Sequence, residues 1–177
     1  MPPRSFEEAV LPHLDAAFNY ARWLAKNDAD AEDVVQDASV RALRFFGSLR
    51  GDNARAWLLA IVRNTWYSRF PQRGGSDRTT EFDAMKDDRP GTDLDPEARV
   101  IQRQAVERVR QALELLPPDF REVIVLRELE GLSYKEIATI VDIPIGTVMS
   151  RLARARERLV PILKSTDASA GDTRELS

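Results

Sequence analysis

The stretch from Ser133 to Arg158, near the carboxyl end of the chain, has the sequence signals of two consecutive helices separated by a tight turn. Ser133 and Glu136 have the spacing of a capping box, which predicts a helix over Tyr134 to Val141. Pro144 interrupts this helix because proline lacks an amide hydrogen, but it is compatible with the first turn of a new helix. The stretch therefore predicts a helix-turn-helix, the unit that places its second helix in the major groove of DNA.

The second of these helices has two chemically different faces at about 100° per residue. One face is apolar and is expected to pack; it carries Val148, Leu152, Ala155 and Leu159. The other face is rich in arginine, and a bidentate contact from arginine to a base contributes roughly 1–3 kcal/mol of discrimination. An ordinary amphipathic helix with solvated arginines is the alternative interpretation. The predicted DNA-reading face, called the recognition stripe below, consists of Thr147, Ser150, Arg151, Arg154 and Arg158.

Composition excludes several classes of chemistry. The 177 residues contain no cysteine, and His13 is the only histidine. Disulfides, zinc clusters, cysteine nucleophiles and histidine-centred triads are therefore not expected, and no phosphate-binding glycine loop is present. We expect no metal, no cofactor and no catalytic residue. The N-terminus lacks a signal-peptide pattern and no apolar run is long enough to span a membrane, which predicts a cytoplasmic protein without membrane insertion.

Apolar positions recur at three- and four-residue spacing almost throughout, which predicts an all-α fold. The exception is residues 71–97, a segment rich in proline, glycine and acidic residues that is expected to be a flexible acidic linker. It separates two small helical domains, residues 1–70 and 98–164, and a disordered tail is expected over 165–177. Before the helix-turn-helix, helices are predicted over residues 6–26, 30–46 with Asp30 as cap, 54–70, 97–115 with Val100, Val106, Val109 and Leu113 in the core, and 118–129.

Charge is segregated along the chain although the net charge is only −3. Residues 1–40 carry eight acidic and three basic residues, whereas residues 41–73 carry seven arginines and one acidic residue. This separation predicts two partners of opposite character, nucleic acid for the basic surfaces and a basic partner for the acidic ones.

The basic block also contains six aromatic residues, and exposed rings stack on unpaired bases with about 1–3 kcal/mol per base. Trp66, Tyr67 and Phe70 are expected to be accessible near a helix end. Phe45, Phe46 and Trp57 are more typical of core positions. The loop between the second and third helices offers polar groups that could hold an extruded base, namely Arg50, Gly51, Asp52 and Asn53.

Asp33, Gln36 and Asp37 have the spacing of one helical face, called the acidic face below. They form either a docking surface for a basic partner or an ordinary solvated face.

Three segments, in this order, resemble the extracytoplasmic-function sigma factors of the sigma-70 family. DAEDVVQDASVRAL, residues 30–43, is similar to the polymerase-binding helix of region two. RAWLLAIVRN, residues 55–64, is similar to the helix that recognises the melted minus-ten element. LPPDFREVIVLRELEGLSYKEIATIVDIPIGTVMSRLARARERL, residues 116–159, resembles region four, which recognises the minus-thirty-five element.

The resemblance implies a dissociable promoter-specificity subunit that directs transcription initiation, typically at stress-response genes. It implies three partners: core RNA polymerase, promoter DNA as duplex and as melted non-template strand, and an anti-sigma protein. It assigns polymerase binding to Asp33, Gln36 and Asp37. It assigns minus-thirty-five recognition to Thr147, Ser150, Arg151 and Arg154, to which we add Arg158 from the same face of the helix. The minus-ten set, to which we add Trp66 for its aromatic ring, is Arg50, Gly51, Asp52, Asn53, Arg55, Trp57, Arg63, Asn64 and Trp66.

A stand-alone helix-turn-helix regulator is the main alternative, because it would use the same recognition stripe. Such a protein would leave the acidic face and the aromatic basic block unexplained. A sigma-like decoy that binds an anti-sigma protein would need a receiver domain, for which the chain has no room. An enzyme is disfavoured by the composition.

Overall fold

The computed structural model describes residues 5–71 and 95–172, with side chains up to residue 168. All regular structure in these two ranges is helical, which confirms the predicted all-α fold class. The described residues form two compact units, one containing 5–71 and 125–145 and the other containing 95–124 and 146–172. Residues 72–94, most of the predicted linker, lie outside the described residues, and the predicted domain boundaries stay a prediction. None of the described helices is long and apolar enough to cross a membrane.

The first predicted helix, over residues 6–26, is wrong as a single element. Helix α1 spans Phe6–Val10, a 3₁₀ turn spans Leu11–His13, and α2 spans Leu14–Ala25. The interruption falls at Pro12, which has no amide hydrogen to donate to the preceding turn.

Helix α3 spans Asp28–Arg44, and its cap is Asn27 instead of the predicted Asp30. The side-chain oxygen of Asn27 accepts a 2.8 Å hydrogen bond from the amide of Asp30. This bond satisfies one of the amides that have no partner within the first turn of a helix. The buried face of α3 consists of Ala31, Val34, Ala38 and Ala42.

Helix α4 spans Ala54–Arg69, in agreement with the prediction over residues 54–70. Asn53 caps it by accepting a 3.1 Å hydrogen bond from the amide of Ala56. Helices α2, α3 and α4 pack against one another and form the core of the first unit. The buried positions of α4 are Ala54, Ala56, Leu58, Leu59, Val62, Thr65 and Trp66.

Helix α5 spans Pro96–Glu114, but three of its four predicted core positions are wrong. Val100, Val106 and Val109 are 51%, 49% and 41% exposed. Leu113 is buried as predicted. Among the described residues, the apolar stripe of α5 is therefore covered only near its carboxyl end.

Helix α6 spans Pro118–Ile124 and continues as a π-helical turn over Val125–Leu129. The buried Arg121 stabilises the corner between α5 and α6. Its guanidinium donates hydrogen bonds to the carbonyl groups of Leu113, Glu114 and Leu116 at 3.0, 2.7 and 3.0 Å. Leu113 and Glu114 are the last two residues of α5, and carbonyls at a helix end lack partners within the helix itself. Leu116 lies in the turn that follows.

Helix α7 spans Tyr134–Val141, and its capping box is confirmed. The hydroxyl of Ser133 accepts a 3.1 Å bond from the Glu136 amide, and the Glu136 carboxylate accepts a 2.6 Å bond from the Ser133 amide. The helix ends at Asp142, which has a left-handed φ of 59°. The predicted helix, turn and second helix thus follow one another along the chain at the expected positions.

Helix α8 spans Ile145–Asp172, so the prediction of a disordered tail is wrong for residues 165–172. Residues 173–177 lie outside the described residues. The helix continues through Pro161, and the hydroxyl of Thr166 donates a 2.9 Å hydrogen bond to the carbonyl of Ile162 in the following turn. An ion pair of 3.2 Å between Asp167 and Arg108 links this part of α8 to α5.

Candidate functional site

The acidic face lies on α3 as the sequence predicted, with Asp33, Gln36 and Asp37 all accessible. A residue that the sequence analysis missed lies between the two carboxylates. Arg69, at the carboxyl end of α4, forms ion pairs with Asp33 at 3.4 Å and with Asp37. The side chains of Asp33 and Asp37 remain 51% and 48% exposed, so both carboxylates can still meet a partner.

Two apolar side chains extend this face towards the carboxyl end of α3. Val40 and Leu43 are 59% and 60% exposed. Helical periodicity places both of them on the same side of α3 as Gln36 and Asp33. An apolar patch next to accessible charged groups is typical of a surface that binds another protein.

The loop before α4 is exposed, as expected for residues that hold an extruded base. Arg50, Gly51 and Asp52 are all exposed, and Gly51 has a left-handed φ of 72° that favours glycine. Asn53 is different because its side chain already has two partners. Besides capping α4, its amide donates a 2.6 Å hydrogen bond to the Glu136 carboxylate.

Arg55 has a partner in the same region. Its guanidinium donates a hydrogen bond to the backbone carbonyl of Glu130. Two residues assigned to the minus-ten set therefore contact the first turn of α7 and the segment that leads into it.

The surroundings of these residues shift the pKa values of two groups, Glu136 and His13. Burial acts to raise the pKa of Glu136, but hydrogen bonds from Ser133 and Asn53 and the nearby Arg55 charge hold that pKa below its ordinary value. Burial lowers the pKa of His13, and the Arg55 charge lowers it further.

The aromatic residues of the basic block are distributed differently from the prediction. Trp66, expected to be accessible, is only 4% exposed and packs on Phe70 with ring centroids 4.5 Å apart. Conversely, Phe45 is 56% exposed although a core position was favoured for it. The ring of Phe46 contacts the half-buried Trp57 edge-on at 6.5 Å. Helical spacing could not decide which of these rings the core would cover.

The solvent side of α4 carries an open recess of about 390 Å³. Its walls are Arg63, Asn64, Tyr67 and Ser68. The Arg63 guanidinium lies 4.6 Å from the centroid of the Tyr67 ring. An aromatic ring, an amide and a cation are the groups that stack on a base, bond to its edge and attract its phosphate. Tyr67 was expected to be an accessible ring but was not included in the predicted minus-ten set, and Ser68 was not predicted at all.

The two faces of α8 are confirmed in their burial. Val148, Leu152 and Ala155 are buried, and Leu159 is half-buried. The recognition stripe is accessible to different degrees: Ser150, Arg154 and Arg158 are exposed, whereas Thr147 and Arg151 are intermediate. This segregation of burial leaves an arginine-bearing face of α8 exposed to solvent.

The described side chains contain no cluster of three or more histidine, cysteine or acidic residues that could hold a metal ion.

Two family models match the chain. Residues 9–75 match "Sigma-70 region 2" and residues 106–159 match "Sigma-70, region 4". The first match contains α2, α3 and α4, and the second contains α6, α7 and the recognition stripe.

Curated relatives and solved structures agree with these matches. The RNA polymerase sigma-H factor of Pseudomonas aeruginosa is 36% identical over 163 residues, covering 88% of this chain and 84% of the relative. The ECF RNA polymerase sigma-E factor of Escherichia coli is 40% identical over 137 residues, covering 73% and 72%. The sigma factor RpoE of Bartonella quintana, solved with the anti-sigma factor NepR, has a TM-score of 0.71 at 34% identity and covers 90% of this chain and 96% of that chain.

Matches to both regions and identities of 36–40% with named sigma factors establish the family. The chain therefore belongs to the extracytoplasmic-function sigma factors of the sigma-70 family, the promoter-specificity subunits of bacterial RNA polymerase.

Proposed function

We propose that this sigma factor divides promoter recognition between α4 and α8 while α3 binds core polymerase. The observation that carries this proposal is the segregation of burial on α8, where Val148 and Leu152 are buried and Ser150 and Arg154 are exposed. An accessible row of polar and basic side chains on a helix suits the major groove. We assign the minus-thirty-five element to the recognition stripe.

Polymerase binding is assigned to the acidic face together with Val40 and Leu43. The half-exposed carboxylates of Asp33 and Asp37 supply charge for a basic partner. The exposed apolar side chains supply the area whose burial stabilises a complex.

Contact with the melted non-template strand is assigned to the exposed loop residues Arg50, Gly51 and Asp52 and to the recess around Arg63 and Asn64. Asn53, Arg55 and Trp57 remain in this set, but Asn53 and Arg55 must first give up their bonds to Glu136 and Glu130. Trp66 is withdrawn from it because its buried ring cannot reach a base.

We further propose an anti-sigma protein as a regulatory partner. The structure of RpoE, 34% identical to this chain, contains the anti-sigma factor NepR, and that of CnrH, 26% identical, contains the cytosolic domain of CnrY. Family membership also supports action in the cytoplasm, where the polymerase is, at stress-response genes. The polymerase supplies the covalent chemistry, so the sigma factor needs none of its own.

Runoff transcription with core polymerase over fragmented genomic DNA tests the proposal. We expect discrete transcripts that depend on this protein, and their loss when Arg151 and Arg154 are both changed to alanine. A variant with Glu7 and Glu8 changed to glutamine, two exposed residues of α1, is the control and should transcribe normally. Tight binding to promoter duplex by the protein alone, without any transcript from any fragment, would instead identify a stand-alone regulator.

A further inference from the structure

The first turn of α6 contacts two arginines of the recognition stripe. The carboxylate of Asp119 lies 3.8 Å from the guanidinium of Arg151. The next residue, Phe120, lies with its ring centroid 4.9 Å from the guanidinium carbon of Arg158. Arg151 and Arg158 are about two helical turns apart on α8, so α6 contacts the stripe at two positions along that helix.

Arg154, which lies between Arg151 and Arg158 on α8, has different surroundings. Arg154 is exposed, and no ion pair joins it to any other residue within the described ranges. Arg151, in contrast, has a side chain that is only 25% exposed. Within the described residues, the stripe thus contains Arg154, which forms no ion pair, and two arginines that side chains of α6 contact.

We propose that Asp119 is a positioning residue that determines base specificity through Arg151. This inference rests on the proposed recognition of the upstream element by the stripe. An arginine side chain has many rotamers, and a bidentate contact to guanine requires one orientation of its planar fork. A carboxylate beside the guanidinium restricts that orientation before DNA arrives, so that less conformational entropy is lost on binding.

Stability alone does not account for this carboxylate. The side chain of Asp119 is 69% exposed, and ion pairs at such sites contribute little to folding. Position in the first helical turn favours an acidic residue through the helix dipole, but that effect needs no arginine nearby. Near a DNA-binding helix, moreover, a negative charge opposes the attraction of phosphates. The proposal therefore predicts that Asp119 lowers the overall affinity for DNA while it raises the specificity for one base pair.

The combined effect on affinity and on discrimination distinguishes a positioning role of Asp119 from a purely structural or purely repulsive role. Neutralising Asp119 should leave binding to unrelated duplex unchanged or stronger, while discrimination at one base pair of the upstream element falls. A purely structural role would weaken specific and unrelated binding together. A purely repulsive role would strengthen both and leave discrimination intact.

The test uses the holoenzyme reconstituted from core polymerase and the full chain, with promoters carrying every single substitution in the upstream element. The variants are Asp119→Asn, Arg151→Ala and their combination. We expect Arg151→Ala to lose roughly 5- to 150-fold of discrimination, the range of one bidentate contact, and Asp119→Asn to lose part of that at the same base pair. We also expect the combination to lose no more than Arg151→Ala alone, because Asp119 acts only through Arg151.

Glu97→Gln is the matched control, since Glu97 is an exposed acidic residue in the first turn of α5. It should leave the discrimination profile unchanged. Thermal unfolding of Asp119→Asn should match that of Glu97→Gln, which excludes misfolding as the cause of any loss.

Three results would overturn the inference: unchanged discrimination in Asp119→Asn, a loss spread evenly over all positions, or losses that add to those of Arg151→Ala. If Arg151→Ala alters discrimination and Asp119→Asn does not, only the inference fails. If Arg151→Ala itself has no effect at any position, the proposed recognition by Arg151 fails with it.

Discussion

The side-chain amide of Asn53 donates a 2.6 Å hydrogen bond to the carboxylate of Glu136, across 83 positions of sequence. Asn53 also caps α4, and Glu136 also completes the capping box of α7. One polar contact therefore joins the starts of two helices that the sequence assigns to different promoter elements.

Replacing Asn53 by aspartate should weaken this contact while keeping the cap of α4, because aspartate is as good a cap as asparagine. The new carboxylate would face that of Glu136, and we expect the free energy of unfolding to fall by about 1 kcal/mol. Urea denaturation measures the change.

Adding Glu136→Gln to Asn53→Asp should restore most of the loss, since the amide can donate to the new carboxylate and glutamine is accepted in a capping box. Asp52→Asn, at the exposed neighbouring position, is the control and should have little effect. Equal stability of Asn53→Asp and the parent protein would show that the contact contributes nothing to folding.

Since His13 is the only histidine of the chain, its titration can be followed without overlap. Burial, with the Arg55 charge, holds its pKa below the ordinary value of 6.5. The unfolded chain therefore takes up a proton at higher pH than the folded chain, so stability is lost as the pH falls below 6.5 and through the folded pKa. NMR titration of the imidazole should report this lowered pKa directly.

The variant Arg55→Gln should move the pKa of His13 part of the way back towards 6.5, because the secondary cause is removed and burial remains. A His13→Gln variant should show a flatter dependence of stability on pH between neutrality and mild acidity. A pKa of His13 at or above 6.5 in the folded protein would contradict the described surroundings.

The acidic face can be tested by neutralisation of its carboxylates. Reversal of both charges to arginine would place three cations together, because Arg69 already lies between them. Asp33→Asn combined with Asp37→Asn avoids this, and we expect at least a tenfold loss of affinity for core polymerase, about 1.4 kcal/mol. Fluorescence anisotropy with labelled protein gives the affinity.

The same double variant should change the free energy of unfolding by no more than about 1 kcal/mol, since exposed ion pairs contribute little to folding. Glu7→Gln with Glu8→Gln removes two charges from α1 and should keep full affinity. Retained affinity in the α3 variant would show that polymerase binds another surface.

Trp66 provides a test of the corrected assignment. Its 4% exposure predicts that Trp66→Ala lowers the free energy of unfolding by about 3–5 kcal/mol, whereas Trp66→Phe retains much of the packing. Urea denaturation measures both. Open-complex formation by holoenzyme with Trp66→Phe should be close to that of the parent protein, and a strong defect in a stably folded variant would return the indole to the strand-binding set.

Local signals in the sequence determined the succession of α7, a turn and α8, and most of the helix bounds. The capping box at Ser133 and Glu136, the break at Pro144 and the apolar period of α8 all depend on residues a few positions apart, whose geometry a helix fixes. The acidic face followed for the same reason, because spacing along α3 places its members side by side.

Only the tertiary structure decided which side chains the core covers and which remote groups meet. Helical period treats Trp66 and Phe45 alike, yet packing of α2, α3 and α4 covers the first and leaves the second exposed. The pairs Arg69 with Asp33, Asn53 with Glu136 and Asp119 with Arg151 join residues 32 or more positions apart, and their formation depends on how whole helices pack. The sequence thus determined which side chains share a face of each helix, and packing decided which of these side chains remain exposed for polymerase and DNA.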